Sequence, residues 1–399
     1  MKIQIFTRNF LGNISNFNVK ENSAVGGAEV YLMQLIDAIN SKFKNAEIEV
    51  YQIGDENKRV VHESFSLNYI KLNKFEKMFF PFVLSFKFNK FTDQNSLKIF
   101  NYPNYAAFMK KQSKSIGIFH GVEWDTNFFD YVKREYLYRD NRYIGLVASS
   151  MKYFYFRIVV PLMVRKGIDK LEKIVSVDTN IKNYIYKDDQ LKKINVIQNC
   201  VDVNFFSGIR NNKNENKNKK IILVPRNLNI ARGVYLLPDV VEELLLKTND
   251  FEIQVVGTGP LKKYIDQETS TRKIEKYIKL LGHIGDRKEM VEIYRNSDII
   301  LIPTVFSEGT SISALEALAC SKPVIMTEVG GLKEIAINNE SKISSNATPR
   351  DIADNILKII NNEELREKLS LHSREYVEKN NNYSNWSQQW IELIESRLK

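Results

Sequence analysis

Short apolar runs bounded by turn residues recur along the chain, at 2–6, 47–53, 67–72, 97–102, 115–119, 173–177 and 194–197, and again at 221–224, 251–256, 277–284 and 299–302. Ile299–Ile302, an apolar run stopped by Pro303, predicts a buried parallel strand, and the others predict further strands. Between them the spacing turns helical. Val30, Leu32, Met33, Leu35, Ile36 and Ile39 share one face, 233–246 and 310–319 follow the same period, and 383–398 is an amphipathic helix with Trp386 and Trp390 on it. Alternating strands and helices imply an α/β fold with doubly wound sheets. The stretch 210–220 reads RNNKNENKNKK and holds no apolar residue, which predicts a hydrated linker. The expected organisation is a first domain at 1–207, a linker at 208–220, a second domain at 221–380 and a final segment at 381–399.

The most informative stretch is 298–335, DIILIPTVFSEGTSISALEALACSKPVIMTEVGGLKEI. Pro303 stops the strand, so the following loop sits at a strand's carboxyl end, the edge at which open α/β sheets bind ligands. The helix that follows starts in Ser/Thr-rich sequence, and the amides of Thr310, Ser311 and Ile312 suit an anion at a helix start. Glu308 lies in the loop and Glu316 one to two turns into the helix. With a phosphate at the helix start, the two carboxylates can accept hydrogen bonds from hydroxyl groups on either side of it. That pattern fits a sugar joined to a nucleotide.

Other candidates sit at comparable places. Gly26-Gly27-Ala28-Glu29 lies ahead of the first helix, where glycine allows close approach of backbone to a ligand; a lone Gly-Gly is more often a flexible turn. His120 comes just past the strand at 115–119, although a single histidine is more often structural. Arg226 and Arg232 follow the strand at 221–224, and two surface arginines are the bland alternative.

Glu308 and Glu316, seven residues apart and followed by Ala317, Pro323-Val324 and Gly330-Gly331-Leu332, resemble the donor-site signature of the family 4 retaining glycosyltransferases. The resemblance implies the GT-B fold, with two Rossmann-like domains facing across a cleft and the C-terminal helix crossing back to the first. It implies a nucleotide sugar, UDP-sugar favoured over GDP-sugar, bound mainly by the second domain, and a glycan or lipid-linked acceptor bound by the first. Transfer would be retaining and of hexosyl or N-acetylhexosaminyl type, in cell-envelope polysaccharide or glycolipid synthesis, without metal or cofactor.

By the same resemblance Glu308 contacts the transferred sugar and Glu316 the nucleotide ribose. Gly26 and Gly27 belong to a loop that closes over the donor diphosphate, with Glu29 orienting, and His120 lies near the transferred sugar. Arg226 and Arg232 grip the diphosphate, Arg232 standing where the family carries lysine. Gly257 and Gly259, in Gly257-Thr258-Gly259-Pro260, lie beside the nucleotide, and Ile284 marks the strand edge that binds the base through main chain. His283 is then not chemical. Asn199-Cys200-Val201-Asp202 resembles the family's Asn-Gly-Val-Asp turn, with Cys200 for glycine. A sugar-nucleotide epimerase or phosphorylase of the same fold, or an inactive nucleotide-sugar-binding subunit, remains an alternative.

Composition narrows the rest. At 399 residues the chain suffices for two domains of ordinary size. Two cysteines, Cys200 and Cys320, argue against a disulfide framework, and a first strand at residue 2 with no signal peptide points to the cytoplasm. The net charge of +10 and pI near 9.2 suit acidic partners, but no nucleic-acid motif accompanies them. Two segments, 74–91 and 143–166, interleave aromatics with bases. Each could lie on the inner face of a membrane, at an anionic surface, or pack as a buried helix on the sheet.

Overall fold

The computed structural model describes residues 1–10, 27–74, 76, 80–122, 124, 150–151, 153–208, 219–306 and 308–398. Gly26, Glu123, Asp125, most of the 208–220 linker and parts of the 74–91 and 143–166 segments lie outside them. The chain forms two α/β units.

The first unit comprises Met1–Trp124, Phe154–Asn199 and Ser384–Lys399. Its strands are β1 (Lys2–Phe6), β2 (Glu47–Gly54), β3 (Lys58–Val61), β4 (Ser66–Lys71), β5 (Leu97–Phe100), β6 (Ser115–Phe119), β7 (Lys173–Ser176) and β8 (Ile194–Val196). They lie in the order β3-β4-β2-β1-β5-β6-β7-β8. Every pair is parallel except β3 with β4. All of β6 is buried, because helices cover both faces of a parallel sheet. β3, KRVV, is largely exposed at the edge; its charged start carries no apolar run, so the sequence pattern does not announce it. Phe6 stacks between Tyr51 and Phe100 in the core, with ring centroids 5.2 and 4.9 Å away. The helix Tyr383–Leu398 returns to this unit: Trp386 and Trp390 are buried, and Trp390 Nε1 donates to Tyr31 Oη at 2.8 Å on the helix Gly27–Lys42.

The second unit is built from Cys200–Tyr383. Its strands are β9 (Lys220–Pro225), β10 (Phe251–Val256), β11 (Ile278–Gly282), β12 (Ile299–Ile302), β13 (Val324–Thr327) and β14 (Ile343–Ser345), in the order β11-β10-β9-β12-β13-β14. All neighbours are parallel. Successive side chains leave a strand on opposite faces. Ile222, Val224, Ile299 and Leu301 therefore join one core layer, with Val240, Leu244 and Ile356. Leu223, Ile300 and Ile302 join the other, with Ala314, Leu318 and Met326.

Several boundaries differ from the sequence pattern. The units divide at Cys200 rather than at 207, because Val201 and Phe206 are buried in the second unit's core. The run 233–246 is a short turn, Val234–Leu236, followed by the helix Leu237–Leu245; Pro238 in its first turn lacks an amide hydrogen and fits only at a helix start. The predicted strand at 277–284 is cut to Ile278–Gly282.

Candidate functional site

In the second unit the strand order reverses between β9 and β12, and a ligand crevice in such a sheet forms beyond the carboxyl ends of the strands at that switch. Arg226 is the first residue past β9, and the loop past β12 carries Thr304 and Glu308. These residues meet. Arg226 Nη1 donates to Glu308 Oε1 at 2.9 Å and Nη2 to Oε2 at 3.0 Å, while Nη2 also reaches Ser311 Oγ at 3.0 Å. Thr304 Oγ1 donates to Glu308 Oε2 at 2.7 Å. Arg232 Nη1 lies 2.9 Å from the same oxygen.

The Arg226 and Glu308 side chains are only 5% and 9% exposed, that of Arg232 32%. Burial works against ionisation of Glu308, but Arg226 and Arg232 beside it and the Thr304 hydroxyl hold its pKa below the ordinary value. For Arg226, burial pulls the pKa down against the attraction of Glu308. Two cations thus share one carboxylate. Arg226 Nε remains a buried donor without a hydrogen-bond acceptor among the described residues, an arrangement that suits an arriving anion.

Glycines fix the backbone of this cluster. A Cβ on Gly257 (φ +148°) would stand 2.3 Å from the Arg226 carbonyl oxygen, and one on Gly259 (φ +156°) 2.4 Å from that of Leu228. The turn after β10 is therefore pressed against the loop that carries Arg226. On the other side, Gly330 (φ +50°) leaves room for only 2.3 Å between a Cβ and the Glu308 carbonyl oxygen, which accepts the Gly331 amide at 2.7 Å. Only glycine tolerates this combination of positive φ and close approach.

Ser311 caps the helix Ile312–Ala319, its side chain accepting from the Ala314 amide, so the helix starts at Ile312 rather than at Thr310. Thr310 and Ser311 are buried beside Glu308. Glu316 lies on this helix, and its Oε2 accepts from Tyr294 Oη at 3.0 Å. Burial lifts the Glu316 carboxyl to about 7, moderated by the Tyr294 hydrogen bond and by Arg287. Ile284 is half-buried just past β11 against the core, and His283 is exposed.

In the first unit, His120 is the first residue past β6 and Gly27 opens the helix Gly27–Lys42. Burial pushes the Glu29 carboxyl up and the His120 imidazole down to about 4. Cys200 is a buried thiol whose pKa burial raises, which suits a packed turn and not a nucleophile. Sequence reasoning missed Thr304 and Tyr294. Thr304 could have been found as the polar residue following the Pro303 stop; Tyr294 reaches Glu316 from the helix Arg287–Arg295, and only tertiary packing shows it.

Residues 206–376 match the family of glycosyl transferases group 1. The chain is 30% identical over 218 residues to an uncharacterised glycosyltransferase of Methanocaldococcus jannaschii, a match covering 52% of this chain and 55% of that protein. It spans about half the length of the curated relatives it matches. Among solved structures it is similar to sucrose-phosphate synthase from Thermosynechococcus elongatus, with TM-score 0.73 and 15% identity over 99% of this chain and 98% of that one. It is also similar to Anabaena HepE in complex with UDP-glucose, with TM-score 0.69 and 14% identity over 99% and 100%. The two α/β units are thus those of the GT-B fold, and the stretch that resembles group 1 glycosyl transferases lies in the second unit, at residues 206–376.

Proposed function

We propose that this chain is a retaining glycosyltransferase that moves a hexosyl or N-acetylhexosaminyl group from a nucleotide sugar, a UDP-sugar before a GDP-sugar, to a glycan or lipid-linked acceptor. The observation that carries this reading is the cluster of Arg226 and Arg232 on Glu308 at the switch point of the second sheet. Cleavage of a nucleotide sugar leaves negative charge on the departing diphosphate. Arg226, Arg232 and the amides of Thr310, Ser311 and Ile312 leading into the helix neutralise that charge without a divalent ion, in a buried setting where charge is worth more than in water. Glu308 holds hydroxyls of the transferred sugar, Glu316 those of the ribose, and the turn at Gly257 and Gly259 and the backbone at Ile284 border the nucleotide. Gly26, Gly27 and Glu29 serve the diphosphate, and His120 meets a sugar hydroxyl. The likeness to a solved protein holding UDP-glucose supports the choice of donor.

A lipid-linked acceptor draws support from the first unit's surface. Phe154, Ile158 and Leu162 stand exposed at helical spacing, 57%, 44% and 52% accessible. Lys166 continues the row and lies 5.5 Å over the Phe108 ring, which also contacts the exposed Phe82 and Phe86. The opposite side of the helix Val160–Lys170 buries Val160, Met163, Val164 and Ile168, so this segment is core on one side and an aromatic-basic surface on the other. Such a surface suits the interface of an anionic membrane. Among the described residues no helix is long and apolar enough to cross one.

The experiment that tests the reading is nucleotide release from a panel of UDP- and GDP-sugars with lipid-linked and free glycan acceptors. Release that requires an acceptor, with the donor's anomeric configuration kept in the product, is the expected result. Nucleotide binding without release with any acceptor, or inverted product, would contradict it.

A further inference from the structure

In the first unit Thr7, Asn101 and His120 are each the first residue past β1, β5 and β6, three neighbouring strands. The sheet reverses its strand order between β1 and β5, so these side chains line the switch point of this sheet as Arg226 and Glu308 do in the other. They form a continuous chain of hydrogen bonds. Thr7 Oγ1 contacts the Asn9 carbonyl oxygen at 2.9 Å, Asn101 Nδ2 contacts Thr7 Oγ1 at 3.0 Å, and His120 Nε2 contacts Asn101 Oδ1 at 2.7 Å.

The direction of every bond follows from its fixed end. A carbonyl oxygen only accepts, so the single Thr7 hydroxyl proton goes to Asn9, and Thr7 Oγ1 must accept from Asn101. The Asn101 amide group is then the donor to Thr7, and its Oδ1 is the atom left toward His120. An amide oxygen cannot donate, so His120 Nε2 carries the proton. In a neutral imidazole the other nitrogen, Nδ1, is then an acceptor. Thr7 and Asn101 are 1% and 5% exposed, which keeps water from substituting in the chain. Tyr31 and Tyr102 flank the ring, with centroids 5.2 and 5.8 Å away.

We propose that Thr7 and Asn101 are positioning residues that hold His120 in its Nε2–H tautomer, so that Nδ1 serves as a hydrogen-bond acceptor for a sugar hydroxyl and not as a donor to phosphate. The role of the hydroxyl rests on the proposed function; the tautomer does not. Burial favours the neutral ring needed for it.

The test is two-bond proton–nitrogen correlation spectroscopy of the imidazoles in full-length protein labelled with nitrogen-15 histidine, without ligand at pH 7. The chain has four histidines, and His120 is assigned by the signals lost in His120→Gln. The expected spectrum shows His120 protonated at Nε2 and bare at Nδ1. Thr7→Val keeps the shape of the side chain, removes the acceptor for Asn101, and should give mixed tautomers. It should also lower kcat about three- to tenfold, the worth of one hydrogen bond, with nucleotide affinity unchanged. Asn101→Asp should keep the Nε2–H tautomer and raise the pH at which the ring protonates, since a carboxylate favours the cation. A proton on Nδ1 in the parent protein, or an unchanged tautomer in Thr7→Val, would overturn the proposal. Because the spectra need no substrate, an Nε2–H ring in a protein that fails to transfer sugar would contradict the proposed function and leave the relay standing.

Discussion

Arg226 clasps Glu308 with both ends of its guanidinium, Nη1 to Oε1 and Nη2 to Oε2, at 2.9 and 3.0 Å. The pairing gives the two signature glutamates different expected behaviour. Glu308→Gln leaves Arg226 and Arg232 facing each other without a counter-charge, and breaking a buried pair costs about 3–5 kcal/mol of stability. UDP should bind this variant at least as well as the parent, because its phosphates supply the missing charge, while turnover falls. Glu316→Ala should weaken UDP and UDP-sugar alike, by roughly 1.5–3 kcal/mol for a charged hydrogen bond. Calorimetric titration of both variants checks the pair; equal losses of UDP affinity would sink the division of roles.

Glu316 also gives the protein a pH dependence. Its carboxyl rises from 4.5 to about 7 on burial, so folding favours the protonated form. The stability tied to that proton is fully present below pH 4.5 and is lost as pH rises through about 7. Glu316→Gln, which keeps an acceptor for Tyr294, should therefore match the parent near pH 4.5 and exceed it above pH 7 by up to about 3 kcal/mol. Denaturant unfolding at both pH values measures the gap, and a gap that does not change with pH would refute the assignment.

Arg232, more exposed than Arg226, offers a cleaner test of the charge mechanism, since its loss should disturb folding less. Arg232→Ala should cut turnover by about 10² to 10³, the scale of removing one charge-stabilising donor. Arg232→Lys should restore part of the loss, because the charge returns while the planar fork does not. Chelator should leave the parent's rate unchanged. Activity lost to chelator and regained with magnesium or manganese would rule out arginine-only neutralisation.

The exposed row on the first unit predicts sedimentation with vesicles containing anionic lipid and release by salt. Replacing Phe154, Ile158 and Leu162 together with serine should abolish the association while leaving transfer to a water-soluble acceptor intact. Lys166→Glu should weaken it by roughly 1 kcal/mol or more, the worth of one base at such a surface. Failure of the parent to sediment at low ionic strength would return the row to an ordinary surface.

β12, Ile299–Ile302, was legible because a strand covered on both faces reads as an unbroken apolar run, and it is buried throughout. For the same reason β3 was not legible, since an exposed edge asks nothing apolar of its residues. Arg226 and His120 stood out as polar residues just past such runs, which is where a parallel sheet presents side chains to ligands. Asn101 occupies the same kind of place, but the predicted strand ran to 102 and swallowed it. Tyr294 could not be found at all, because its meeting with Glu316 depends on how two helices pack. The Gly330-Gly331 pair was read as part of a motif, and the structure supplies its reason in the closeness of the Glu308 backbone.

The central claim is that the cluster around Arg226, Glu308 and Glu316 binds the nucleotide part of a sugar donor, and thermal unfolding across UDP, GDP and their sugars tests it most directly. A ligand that binds only the folded state stabilises it by about 2.7 kcal/mol at a hundredfold excess over its Kd. UDP or a UDP-sugar should raise the unfolding temperature of the parent, and Glu316→Ala should lose most of that rise. No shift with any of these ligands, or an equal shift in Glu316→Ala, would contradict the account.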